Sequence, residues 1–205
     1  MTESWLERWR EGHIGWHEEH GNAGLKKHWR ASGKRVLVPM CGKTVDMLWL
    51  EEQGNSVVGV ELSDIAARAF FRENGLRYRV QEDSLAAYTA EDRDITIYCG
   101  DLFDFDESGF TGWYDRGALV ATPAEQRPAY AEHITALLAP GASRLLITLE
   151  YDDAIATGPP FSISGDEIRR YWPDMREVER YDDIENGPPK FLEAGLNEMF
   201  ETVWS

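Results

Sequence analysis

The chain has 205 residues, 42% of them hydrophobic and 28% charged, with a formal net charge of −16. That length fits one domain burying roughly 70% of its unfolded surface. The acidic balance argues against a nucleic-acid partner, which needs a basic surface, and no apolar run approaches the ~20 residues that span a bilayer, so no membrane is expected either.

The first 33 residues form a polar, aromatic-rich covering segment without the basic front and apolar centre of a signal peptide. In it Trp5, Trp9 and Trp16 sit among His13, His17 and His20. The His13/His17 spacing would suit helical metal ligation, but Gly12 and Gly15 argue against a regular helix there, so no metal is expected. Aromatic rings here can instead cover a ligand and attract a sulfonium through cation–π contact. From residue 34 on, short apolar runs alternate with helical patterns. That is the signature of βαβ units and a doubly wound parallel sheet. Val36–Pro39 is the first strand, followed by a helix from Thr44 to Gln53 that Gly54 stops. Ser56–Leu62 is the second strand, and Ser63 caps a helix with Ile65, Ala69 and Phe70 on one face. Residues 75–93 read as a short strand and a variable excursion. Asp94–Cys99 is a further strand, and another begins at Trp113. Thr122-Pro123-Ala124-Glu125 has the form of a capping box opening a helix whose stripe is Tyr130, Ile134, Leu137 and Leu138, with Pro140-Gly141 as its stop. Arg144–Glu150 is a central strand, Ser164 and Glu167 form a second capping box, and Glu177–Tyr181 with Asn197–Trp204 closes the sheet as a strand pair. Cys41 and Cys99 sit at the ends of expected strands and read as reduced thiols, which places the protein in the cytoplasm. The expected organisation is a single domain over residues 1–205.

In open α/β sheets ligands bind beyond the carboxyl ends of the strands. Four loops leave such ends here: Met40–Lys43, Glu61–Ser63, Gly100–Leu102 and Asp115–Gly117. The GKT at 42–44 lacks the second glycine of a phosphate-wrapping loop, since the required position is Leu37. The same loop lacks GxGxxG, which favours a nucleoside ligand without phosphate, such as S-adenosylmethionine, over a dinucleotide. Glu61, 19 residues after Gly42, has the spacing at which a carboxylate meets a ribose. Asp101 is placed to reach an adenine edge or to cap its own loop. Arg116 is placed to hold a carboxylate or to pair with Asp115. Gly158-Pro159-Pro160-Phe161 is a stiff loop suited to walling an acceptor pocket, or a turn containing a cis-proline.

Taken in order, RWREGHIGWH (8–17), VLVPMCGKTVDMLWL (36–50), VVGVELS (57–63), YCGDLFD (98–104), YDRGALVA (114–121), LLITLEYD (145–152) and GPPFSI (158–163) resemble the thiopurine S-methyltransferase family over nearly the whole chain. The resemblance implies the seven-stranded, Rossmann-like class I methyltransferase fold with helices on both faces and the aromatic segment as a lid. It also implies methyl transfer from S-adenosylmethionine to sulfur. Family cofactor contacts map onto Trp9, Met40, Glu61, Asp101, Leu102 and Arg116, with Trp5 and Trp16 in the covering segment. Trp16, Arg116 and Phe161 are the acceptor-side candidates, Arg116 acting electrostatically. Met40 replaces the family's more usual leucine, and Glu185–Lys190 lacks an arginine that animal members carry nearby. The expected partner is a small thiol or thiopurine-like acceptor taken by a monomer. The alternatives are tellurium, selenium or halide acceptors, or a cofactor-binding regulatory module without turnover.

Overall fold

The computed structural model describes residues 2–15 and 17–205. They form two compact units, one running up to Tyr114 together with Leu137–Ala142, the other comprising Asp115–Ala136 and Ser143–Ser205.

In the first unit, α1 (Thr2–Glu11) ends at Gly12, whose φ of +71° is a left-handed conformation that favours glycine. His13 and His17 therefore do not share a helical face. α2 (Ala23–His28) is capped by the Asn22 side chain, which accepts from the Leu25 N–H at 2.9 Å. β1 (Arg35–Pro39), β2 (Ser56–Glu61), β5 (Ile95–Cys99) and β6 (Phe110–Asp115) are joined by parallel pairings in the order β5-β2-β1-β6. Runs such as Val36–Val38 and Val57–Val60 are buried throughout, as strands covered on both faces require. Strand order reverses at β1, which carries β2 on one side and β6 on the other. β3 (Tyr78–Gln81) and β4 (Ala86–Ala90) form an antiparallel hairpin, with β4 paired to β5, in the stretch read from sequence as one short strand. The described residues hold nine strands, two more than the family resemblance implies.

α3 (Asp46–Glu52) precedes β2, and Gly54 stops it as expected. The Ser63 side chain caps α4 (Asp64–Glu73). The core face of α4 is Ala66, Ala67, Phe70 and Phe71, spaced i, i+4; Ile65 falls out of that phase and is 45% exposed, correcting its assignment to the buried face. Trp113 lies near the end of β6 rather than its start.

In the second unit, Thr122 does not cap a helix. Its hydroxyl donates to the Ala118 carbonyl at 2.8 Å, and α5 (Arg127–Leu137) starts five residues later. α5 runs directly into β7 (Leu138–Glu150), whose residues up to Ala142 are counted with the first unit, so Leu138, Pro140 and Gly141 belong to that strand. Ser164 does cap α6 (Gly165–Tyr171), accepting from the Glu167 N–H. The Glu167 carboxylate, however, accepts from buried Arg127 at 3.0 and 3.2 Å and from the Tyr171 hydroxyl at 2.9 Å, so the box is not reciprocal. β8 (Glu177–Asp182) and β9 (Phe200–Trp204) form the expected closing pair, antiparallel, with β9 also antiparallel to β7. Between them lies α7 (Pro189–Glu193), which the sequence pattern did not announce. No helix among the described residues is long and apolar enough to cross a membrane.

One buried carboxylate ties the chain before β1 to the sheet. Asp46, 2% exposed, accepts from the Asn22 N–H at 2.7 Å and from the Tyr114 hydroxyl at 2.8 Å. A Cβ on Gly21 would fall 2.6 Å from its Oδ1, so the segment fits there only as glycine. Asp46→Ala would leave two buried donors unmet and should cost roughly 3 kcal/mol in a urea titration, whereas Tyr114→Phe should cost about 1 kcal/mol. Equal effects would mean that the hydroxyl, not the carboxylate, is the organising group.

Candidate functional site

The register of the parallel strands sets the site's geometry. Pro39 pairs with Val60 and Glu61 with Cys99, so the loops leaving β1, β2 and β5 depart at one level. Met40 takes φ +45°, rare for a residue with a side chain, and turns the chain so that the Cys41 N–H donates to the Val60 carbonyl at 3.0 Å. Gly42, at φ +55°, then directs its N–H to Glu61 Oε2 at 2.8 Å. The Ser63 N–H donates to Glu61 Oε1, also at 2.8 Å. One carboxylate thus fixes two loops. The β5 loop joins them through the Gly100 N–H, which donates to the Glu61 carbonyl at 2.9 Å.

Glu61 is 6% exposed. Burial pushes its carboxyl up to about 7, against the lowering effect of the Ser63, Gly42 and Leu62 amides. An ionised carboxylate offers about four acceptor positions, and the backbone amides take only part of them. The remainder suits hydroxyl donors, above all a vicinal diol such as that of ribose. The donor set therefore fits a nucleoside held at these strand ends.

Around this centre, Trp9 of α1 is buried, and its ring would lie 3.3 Å from a Cβ placed on Gly42. Trp5 is half-buried under the Arg8 guanidinium, 5.1 Å from the ring centroid. Asp101 accepts from the Phe103 N–H at 3.0 Å, so it caps the short 3-10 turn Leu102–Asp104; Leu102 is buried and Phe103 is 43% exposed. Cys41 is packed against Gly59, where an added Cβ would fall 2.6 Å from its sulfur, and burial pushes its thiol well up. The first unit thus sets Trp9 of α1 against the Gly42 turn, with Met40 and Glu61 at adjoining strand ends and Asp101 and Leu102 at the next one. Trp16 lies outside the described residues.

The second unit carries Arg116 and Phe161. Arg116, half-buried, follows β6 on a loop organised by its neighbour. The Asp115 carboxylate, 1% exposed, accepts from the Ala118 N–H at 2.9 Å, the Leu119 N–H at 3.2 Å and the Tyr130 hydroxyl at 2.6 Å. Desolvation raises it to about 6. Sequence reasoning treated Asp115 only as a partner for Arg116 and missed this role; an acid followed within four residues by the start of a turn was the available signal. Phe161 folds back over Gly158, where a Cβ would collide with its ring and backbone, and both Gly158-Pro159 and Pro159-Pro160 are cis.

Both raised carboxyls bind their protons more tightly in the folded chain than in the unfolded one. Their contribution to stability is therefore complete below about pH 4 and is lost as pH rises through about 6 for Asp115 and about 7 for Glu61. Glu61→Gln removes one of the two. The stability of this variant relative to wild type should rise by roughly 3 kcal/mol between pH 4.5 and pH 8 in urea titrations. Parallel curves would show that Glu61 is ionised throughout.

Comparison with known proteins agrees with this geometry. A model of the family described as thiopurine S-methyltransferase (TPMT) matches residues 1–205. A thiopurine S-methyltransferase of Bordetella petrii is 44% identical over 212 residues, covering 99% of this chain and 96% of its own length. One from Nitrosospira multiformis is 39% identical over 213 residues, covering 98% and 96%. Among solved structures, the 1,6-didemethyltoxoflavin-N1-methyltransferase of Burkholderia thailandensis, with 1,6-didemethyltoxoflavin and S-adenosylhomocysteine bound, superposes at TM-score 0.62 and 18% identity, covering 99% of this chain and 85% of that one. At that identity the likeness concerns the fold. The strand-end carboxylate, the α/β architecture and the whole-length match converge: the chain belongs to the thiopurine S-methyltransferase family and is an S-adenosylmethionine-dependent methyltransferase.

Proposed function

We propose that the protein transfers a methyl group to the sulfur of a small thiol or thiopurine-like acceptor by direct in-line displacement. The observation that carries the cofactor half is the Glu61 carboxylate, held between the Gly42 and Ser63 amides at the level of the strand ends. The names of the relatives support sulfur as the acceptor atom.

When bound, S-adenosylmethionine supplies a methyl already activated on a sulfonium, so the acceptor sulfur gains the carbon as the thioether departs with the bonding pair. What the protein supplies is position and a fixed electrostatic setting. Glu61 takes the ribose hydroxyls, Met40 and Leu102 give apolar contacts, Asp101 faces the adenine, and Trp5, Trp9 and Trp16 form the cover. Arg116, on its Asp115-organised loop, favours the anionic form of an acceptor and so lowers the acceptor's pKa. Phe161 serves as the acceptor-side wall. A thiol that ionises near neutral pH gives its proton to solvent, and no strong general base is required.

Calorimetric titration with S-adenosylmethionine tests the first half. Ribose hydroxyls donate to the ionised carboxylate, so binding must displace the proton Glu61 holds below about pH 7. Affinity should therefore tighten about tenfold from pH 6 to pH 8. In Glu61→Ala it should be weakened at least about tenfold, or ~1.4 kcal/mol, and lose that pH slope. An unchanged Kd in this variant would remove Glu61 from the cofactor site.

A panel of thiol, selenium, tellurium and halide acceptors at saturating cofactor tests the second half. Arg116→Ala should lower kcat/KM for a thiol by at least about tenfold. An unchanged value would end its proposed role, and preferential turnover of a non-thiol would replace sulfur as the acceptor.

A further inference from the structure

The turn at 157–161 presents an unusual problem of hydrogen bonding. Pro159 and Pro160 have no N–H, so the turn has few amide donors of its own with which to fix its carbonyls. Two side chains from elsewhere in the second unit supply them. The Lys190 ammonium donates to the Thr157 carbonyl at 3.0 Å and to the Pro159 carbonyl at 2.8 Å, reaching back 33 and 31 residues from α7. The Tyr151 hydroxyl donates to the Pro160 carbonyl at 2.7 Å. The far end of the turn is held by the Phe161 N–H, which donates to the Val120 carbonyl at 2.6 Å.

Both outside donors stand on one base. Tyr151 packs on Phe191, the neighbour of Lys190, with ring centroids 4.6 Å apart, and Phe191 is fully buried among Ala156, Leu196 and Met199. Lys190 itself is exposed. An ammonium has three donors and suits the gathering of two carbonyls. Because Phe161 lies directly over Gly158, any shift of the 157–159 backbone moves its ring.

We propose that Lys190 is a positioning residue: by gathering the Thr157 and Pro159 carbonyls it holds the Gly158–Phe161 turn in the shape that places the Phe161 ring, and so sets which acceptors the enzyme takes. This rests on the reading of Phe161 as the acceptor-side wall. Lys190 itself touches no reacting atom. Its effect belongs to acceptor binding and is largest for acceptors bulky enough to meet the wall.

The test uses Lys190→Met, which keeps the aliphatic stem and removes the donors, and Lys190→Arg, which restores them. Because Lys190 is exposed, both should fold. In the ligand-free protein, amide exchange over residues 155–161 should quicken in Lys190→Met and return in Lys190→Arg. With S-adenosylmethionine saturating, KM for a bulky aromatic thiol should rise about three- to tenfold in Lys190→Met, more than for 2-mercaptoethanol, with kcat and cofactor Kd unchanged. A raised KM without faster exchange would mean that Lys190 contacts the acceptor directly, and overturns the proposal. Faster exchange with identical kinetics for both thiols overturns it equally. If wild type turns over no thiol at all, the acceptor reading has failed; the exchange measurement still reports separately whether Lys190 holds the turn.

Discussion

Burying a carboxylate at the end of a parallel strand is unfavourable unless donors meet it, and the loops around Glu61 are shaped to bring them. Gly42 and Ser63 reach its two oxygens from the loops after β1 and β2. The left-handed Met40 and the level strand ends make this possible. Donors and burial pull in opposite directions, and burial wins, which leaves the group near the middle of its titration at neutral pH. A fully compensated carboxylate would be a purely structural cap. An incompletely compensated one keeps a reason to accept further hydroxyl donors.

The second unit uses the same device with different partners. Asp115 gathers two amides and the Tyr130 hydroxyl, and its loop carries Arg116 immediately beside it. In both units a buried strand-end acid shapes the loops around it. Asp46 performs the related task for the chain entering β1, linking the Asn22 amide to the Tyr114 hydroxyl.

Much of this was legible from local pattern. The apolar runs of β1, β2 and β5, the Ser63 and Ser164 caps, the Gly54 stop and the closing strand pair all follow from periodicity and capping chemistry, while the antiparallel direction of that pair does not. Glu61 stood out because its residue type and strand-end spacing agree. Two of the failures share one cause, which is competition from tertiary partners. Thr122 has the residues of a capping box, yet its hydroxyl finds the Ala118 carbonyl. Glu167 leaves its box for Arg127. Ile65 sits at a helical position but out of phase with Phe70 and Phe71. The β3–β4 hairpin was hidden because Tyr78–Gln81 has little burial to impose an alternating pattern. Lys190 was invisible as a functional candidate because its partners lie more than thirty residues away and are backbone carbonyls, which carry no residue-type signal.

The contact between Cys41 and Gly59 has a practical consequence. The sulfur occupies the space a side chain at position 59 would need, and its thiol is held protonated by burial. A thiol reagent should therefore react slowly with Cys41 while the β1 loop stays packed on β2. Cys99, half-buried at the end of β5 with its own thiol pushed up to about 11 by burial, is the second sulfur for comparison on the same chain. The ratio of labelling at the two sulfurs of the native chain should therefore rise with any opening of the Gly42 loop, without an engineered probe.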